Sequence, residues 1–214
     1  MKYLIPCVAL LLWGCASPHA ARQEAGLPSG SSGSDGSVVM QPGAPGASTR
    51  VFESAEDIEL QRPPHTAADT HFMQGMIHHH AQALEMSELV PERTARRDVR
   101  MLGKRIHVSQ ASEIALMRDW LERRGEETHA ARMHMPGMLS AAQMDELQSA
   151  SGRDFDSLFL TYMIMHHEGA ITMVRDLFAS PGAAADQIVS EFATDVDMDQ
   201  RAEIARMRAM LANN

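Results

Sequence analysis

Cysteine is nearly absent from this chain of 214 residues: only Cys7 and Cys15 occur, both at the N-terminus. That excludes a disulfide framework or a thiolate metal site in the folded part. Aromatic residues make up only 5% of the chain. Long apolar runs are missing too, and the one from Tyr3 to Leu12 is too short to cross a bilayer as a helix. Basic residues are outnumbered, with 19 Lys and Arg against 28 Asp and Glu and a formal net charge of -9. Without a basic face to neutralise phosphates, nucleic acid is excluded as a partner. No segment alternates with the period of a strand over a useful length. Proline is scarce after Pro64, where only Pro91, Pro136 and Pro181 remain.

The chain is instead rich in two residues, with 17 Met and 11 His. Any metal in the fold would be held by imidazole, thioether or carboxylate. Lys2 and the apolar run after it have the form of a secretory signal, and Leu12, Gly14 and Cys15 look like a lipobox. Residues 1–14 are therefore expected to be a signal peptide of the lipoprotein type, with Cys15 lipidated. The mature chain would be exported and tethered to a membrane, facing the periplasm or cell surface; the alternative is a soluble secreted or periplasmic form. Residues 16–64 contain 8 Ser, 6 Gly and 6 Pro. Such a composition buries too little apolar surface to offset the entropy of ordering, so 15–64 reads as a disordered linker before a metal-binding domain at 65–214.

Within that domain the prolines separate segments whose apolar residues recur at helical spacing. Met73, Met76, Ile77, Ala83, Leu84 and Met86 predict a helix from Thr66 to Val90, ending at Pro91. A second is predicted from about Glu92 to Arg124, stopped by Gly125. Ser140 with Gln143 reads as a capping box opening a short helix that Gly152 ends. Asp154 or Asp156 would cap a third long helix to Ala179, and a fourth would run from about Ala183 to Leu211. Four long helices with short or moderate links imply a bundle.

The chain also repeats itself. At an offset of 87, Asp69, Phe72, Met76, Ile77, His79, His80, Ala83 and Met86 match Asp156, Phe159, Met163, Ile164, His166, His167, Ala170 and Met173. At an offset of 90, Gln110, Glu113, Ile114 and Met117 match Gln200, Glu203, Ile204 and Met207. The bundle is thus a duplicated helical hairpin with a short extra helix in the central connection. His78 is replaced by Met165 in the second copy and is discounted.

Imidazole suits copper, zinc, iron and nickel, whereas a thioether favours Cu(I). Met76 with His79 or His80 faces one ion across a helical turn, and Met163 with His166 and His167 repeats that spacing. Met133, His134, Met135 and Met138 add an imidazole and three thioethers on a loop. Met73, on the Met76 stripe, and Met86, Met117, Met173 and Met207, on apolar faces, read either as further ligands or as core. Asp69 and Asp156 read as caps or outer hydrogen-bond acceptors. Gln110, Gln200, Glu113 and Glu203 read as inter-helix hydrogen-bonding or surface groups, with a supporting role at the metal as the less favoured option.

The paired Met-Ile-x-His-His signatures at Met76–His80 and Met163–His167 occur together with two Gln-x-x-Glu-Ile patterns and the Met-Pro-Gly-Met turn at Met135–Met138. In these features the chain resembles, over about residues 66–211, the domain-of-unknown-function 305 family of CopM-like exported copper-binding proteins. The resemblance implies a ferritin-like four-helix bundle with copper as its ligand and copper tolerance or homeostasis as its role. Its implied ligands are Met76, His79, His80, Met163, His166 and His167, with Met135 and Met138 beside them.

The function expected is sequestration or transfer of Cu(I), with Cu(II) or zinc as alternatives, without turnover and with envelope copper-handling proteins as possible partners. A ferritin-like metallo-oxidase is the competing reading. It is disfavoured because di-iron bundles use Glu-x-x-His in two helices, and here that pattern occurs only at Glu126–His129, beyond the second helix. A metal-free helical scaffold is the third reading.

Overall fold

The computed structural model describes residues 39–41, 50–52, 65–129 and 135–213. The expected signal segment, Cys15, Met133 and His134 lie outside them. The chain divides into two units, Met1–Ala55 and Glu56–Asn214. In the first, β1 (Val39–Gln41) pairs antiparallel with β2 (Arg50–Phe52), Met40 opposite Val51. Nothing in the Ser, Gly and Pro content of this segment announces that pairing.

The second unit is helical: α1 (Ala67–Arg93), α2 (Arg97–Glu122), α3 (Ala141–Ser149), α4 (Gly152–Ala179) and α5 (Gln187–Ala212). α1 packs along α2, α4 along α5, and the two hairpins meet through α1 and α4. The short α3 touches both α1 and α4. This is the four-helix bundle of two like hairpins that the repeat predicts.

Helix boundaries differ from expectation where tertiary contacts decide them. Pro91 does not end α1, which continues to Arg93. A proline in the last turn forfeits only one of the final backbone bonds, so the helix tolerates it there. Gly152 does not end the short helix; with φ of +59° it opens α4 behind Ser151, and neither Asp154 nor Asp156 is the cap. The fourth long helix starts at Gln187 rather than Ala183, because Asp186 is its cap and accepts from the amides of Ile188 (2.9 Å) and Val189 (3.3 Å). The predicted capping box at Ser140 closes, and the structure adds a second at Thr66, closed through Asp69.

The core is split along the helix axes. One apolar cluster contains Met86, Ile106, Phe159, Met163 and Met207; the other contains Met73, Met76, Met117, Ala170 and Val196. On each long helix the residues between the two clusters are polar: His79 and His80 on α1, Gln110 on α2, His166 and His167 on α4, Gln200 and Glu203 on α5. A polar band thus crosses the middle of the bundle.

Asp186 ties three elements at one end, since it also accepts from the Trp120 indole at 3.3 Å and pairs with Arg124. It is 3% exposed. Asp186→Ala removes a helix cap and leaves a buried guanidinium without its partner, so it is expected to cost about 3 kcal/mol. Urea unfolding of wild type and variant measures this, and a loss under about 0.5 kcal/mol, the range of an ordinary surface change, would contradict the assigned role.

Candidate metal centre

Helical spacing places the paired histidines on the inner faces of α1 and α4, and the meeting of the hairpins brings the pairs together. His79, His80, His166 and His167 all have 0% exposure. The His79 and His166 rings lie 3.7 Å apart between centroids, with their planes inclined by 38°. Each is flanked by its chain neighbour, His80 at 6.3 Å and His167 at 6.4 Å. The near-equal distances are the duplication seen in three dimensions.

Each outer ring is held by a carboxylate from its own hairpin. His80 Nε2 donates to Glu113 Oε2 at 2.6 Å, and His167 Nε2 donates to Glu203 Oε2 at 2.8 Å. Arg105 holds the other oxygen of Glu203 at 3.0 Å. Burial would raise the Glu203 carboxyl, but the hydrogen bond from His167 and the neighbouring Arg105 guanidinium keep it below the ordinary value. His79 Nε2 donates to the Pro136 carbonyl at 3.2 Å. Carbonyls and carboxylates only accept, so three rings carry a proton on Nε2, and in the neutral ring the lone pair sits on Nδ1. Those three Nδ1 atoms are buried without a hydrogen-bond partner, as are both nitrogens of His166. An unmet buried polar group costs about 1–3 kcal/mol, so five of them ask for a reason.

The turn Met135–Met138 straps this band. Gly137 has φ of +79°, and a Cβ there would stand 2.6 Å from the Met165 carbonyl. A Cβ on Gly169 would stand 2.0 Å from the Pro136 carbonyl. The opposite helix grips the strap through Gln82, whose amide donates to the Leu139 carbonyl at 3.0 Å and accepts from its N–H at 2.7 Å. Only glycine lets the strap come close enough for Pro136 to reach His79.

The thioethers divide into groups. Met76 and Met163, one turn from the paired histidines, are fully buried. Met73 and Met117 lie in the apolar cluster of Met76, and Met86 and Met207 in that of Met163. Met135 is 8% exposed and Met138 half-buried. Met135 and the half-buried Met173 line a pocket of about 320 Å³ together with His71 and Asp176. His78 points outward and is exposed. Among the described residues no three His, Cys, Asp or Glu side chains converge to hold an ion. The repeated Gln-x-x-Glu-Ile pattern signals the two glutamates, although not that each has one imidazole as its partner. Gln82, Gly169 and the Pro136 carbonyl carry no such signal.

Fold and band together define a duplicated-hairpin four-helix bundle with a buried histidine–methionine centre. The chain belongs to the family described as domain of unknown function (DUF305), whose model matches residues 69–211. It is similar to a solved DUF305 fragment from Deinococcus radiodurans, at 31% identity over 71% of this chain and 100% of that one, with a TM-score of 0.65. A DUF305 protein from Streptomyces coelicolor whose name presumes secretion is 29% identical, over 68% of this chain and 93% of that one, with a TM-score of 0.64. CopM in its Cu(I)-bound form is 25% identical, over 68% of this chain and 96% of that one, with a TM-score of 0.56. CopM has also been solved with Cu(II) and with silver bound. No curated protein matches the chain.

Two measurements test this geometry. Burial, reinforced by repulsion from His80, pushes His79 down from 6.5 to about 3, and burial beside His79 pushes His166 well below the ordinary value. Between pH 6.5 and 3 the unfolded chain takes up protons that the folded rings refuse. The stability of the metal-free protein should therefore fall as pH drops below about 6.5, by roughly 1.4 kcal/mol per unit for each such ring. A urea midpoint at pH 5 equal to that at pH 7 would contradict buried neutral rings. Gly169→Ala must lift the strap from α4 and is expected to cost about 1–3 kcal/mol; thermal unfolding checks it, and an unchanged midpoint would refute the close approach.

Proposed function

We propose that the chain is an exported copper-binding protein that sequesters Cu(I), or passes it on, through the imidazoles and thioethers of the polar band. The observation that carries this reading is the set of five unpartnered ring nitrogens on four fully buried histidines. Ring nitrogens buried without a partner are costly unless something meets them, and neutral imidazole is the form that binds a metal. Glu113, Glu203 and the Pro136 carbonyl act as the outer partners that fix the tautomer and orientation of metal-binding imidazoles elsewhere. With no three His, Cys, Asp or Glu side chains converging among the described residues, sulfur from Met76 or Met163 would complete a donor set. A soft thioether favours Cu(I) over zinc, with Cu(II) as the second guest.

The likeness to CopM, solved with Cu(I) bound, supports the choice of metal. Export is supported by the signal-like N-terminus and by the name of the Streptomyces relative. Among the described residues no helix is long and apolar enough to cross a membrane, and a lipid on Cys15 would provide the tether. Binding needs no turnover. Transfer to an envelope copper-handling partner is the natural fate of the ion, together with a part in copper tolerance.

Anaerobic titration of the full, tag-free chain against a chromophoric Cu(I) chelator tests the proposal. Wild type should withdraw copper from the chelator. Met76→Leu/Met163→Leu, which conserves volume and apolar character, should keep the fold and weaken uptake by at least about tenfold. His80→Ala/His167→Ala should weaken it as well. No withdrawal by wild type, or equal uptake by all three proteins, would sink the reading.

A further inference from the structure

Beside the strap, between α1 and α4, a pocket of about 320 Å³ opens to solvent. α1 contributes His71 and Phe72, the strap Met135, and α4 Met173, Asp176 and Leu177. Phe72 and Leu177 are buried, Met173 is half-buried, and His71 and Asp176 are exposed. Met173 and Asp176 stand three residues apart on α4 and so share a face. Among the described residues the His71 ring has no hydrogen bond or ion pair, and the Asp176 carboxylate has only a loose contact with Arg175 at 3.8 Å. Pro136, whose carbonyl accepts from His79, also lines the pocket, so the strap is the wall between it and the buried rings.

The duplication shows what this place looks like without donors. At the offset of 87, Phe72 matches Phe159, Met173 matches Met86 and Leu177 matches Val90, whereas His71 matches Leu158 and Asp176 matches Leu89. In that second copy Met86, Val90 and Phe159 are core, Leu89 and Leu158 pack against them, and Met144 and Leu147 of α3 belong to the same cluster. One copy is thus apolar and covered by α3, and the other is open with an imidazole and a carboxylate in place of two leucines. Exposure alone accounts for polar residues there. It does not account for two thioethers kept beside an unpartnered imidazole at the edge of solvent.

We propose that this pocket is an outer Cu(I) site, in which the thioethers of Met135 and Met173 and the imidazole of His71 hold the ion and Asp176 offsets its charge. Two thioethers and one imidazole suit Cu(I), and a single imidazole with one carboxylate offers Cu(II) or zinc too few of the donors they prefer. The choice of ion rests on the reading of the chain as a Cu(I) binder, while the pocket and its donors stand apart from the buried band. The band offers four imidazoles to the pocket's one, so it fills before the pocket. The chain then carries one soft site that solvent reaches without opening the bundle and one that it does not.

Ag(I), the redox-silent stand-in for Cu(I), is the probe. The full chain is titrated with it while methionine methyl and histidine ring resonances are followed by NMR. After the buried rings have responded, further silver should shift His71 together with the Met135 and Met173 methyls. His71→Ala/Met173→Leu, at exposed and half-buried positions, should weaken that later step by at least about tenfold and leave the response of the buried rings unchanged. If the double variant fails to fold, His71→Ala alone is expected to weaken the step in the same direction. A later step that never reaches His71 and these methyls, or that keeps its affinity in the variants, would overturn the pocket and leave the buried centre standing. Shifts at the pocket with silent buried rings would support the pocket and refute the buried centre. No response to silver anywhere would refute both.

Discussion

Removing an imidazole from water deprives two nitrogens of partners at once, and this bundle removes four imidazoles at a single level between two apolar clusters. The rest of the unit is arranged around that constraint. Glu113 and Glu203 each satisfy one nitrogen from the neighbouring helix of the same hairpin. The Pro136 carbonyl satisfies a third from the connection between hairpins. What is left over is buried without a partner, on rings of which His79 and His166 lie against each other.

The asymmetries between the two halves are as informative as the repeat. Glu203 is clamped by Arg105, whereas Glu113, whose side chain is more exposed, has no equivalent arginine because Asp195 stands in its place. The strap crosses α4 at Gly169, and the matching position of α1 is Gln82, which holds the strap's other end by its amide. One side of the bundle is thereby closed over the central rings and the other left open between α2 and α5. Duplication supplied the paired donors, and divergence decided which face meets solvent.

Much of this was legible in the sequence because it depends on periodicity and self-comparison. The four long helices follow from apolar spacing, and the paired histidines stand out because two copies keep them while His78 is kept in only one. What was not legible depends on contacts between distant segments. The start of α5 moves to Asp186 because Trp120 and Arg124, more than 60 residues earlier, hold that side chain in place. The carbonyl that partners His79 is a backbone atom brought within reach by a glycine on another helix, and no pattern of side chains announces it.

The central claim is that the unpartnered ring nitrogens exist to meet a soft metal ion. Long-range proton–nitrogen NMR of the histidine side chains, before and after one equivalent of Ag(I), addresses it directly, since silver is the redox-silent analogue of Cu(I). The account predicts that metal-free His79, His80 and His167 carry their proton on Nε2, and that silver shifts Nδ1 resonances of the buried rings while the Nε2 protons stay in place. Rings that keep their metal-free spectrum in the presence of silver, with the exposed His78 shifting instead, would contradict it.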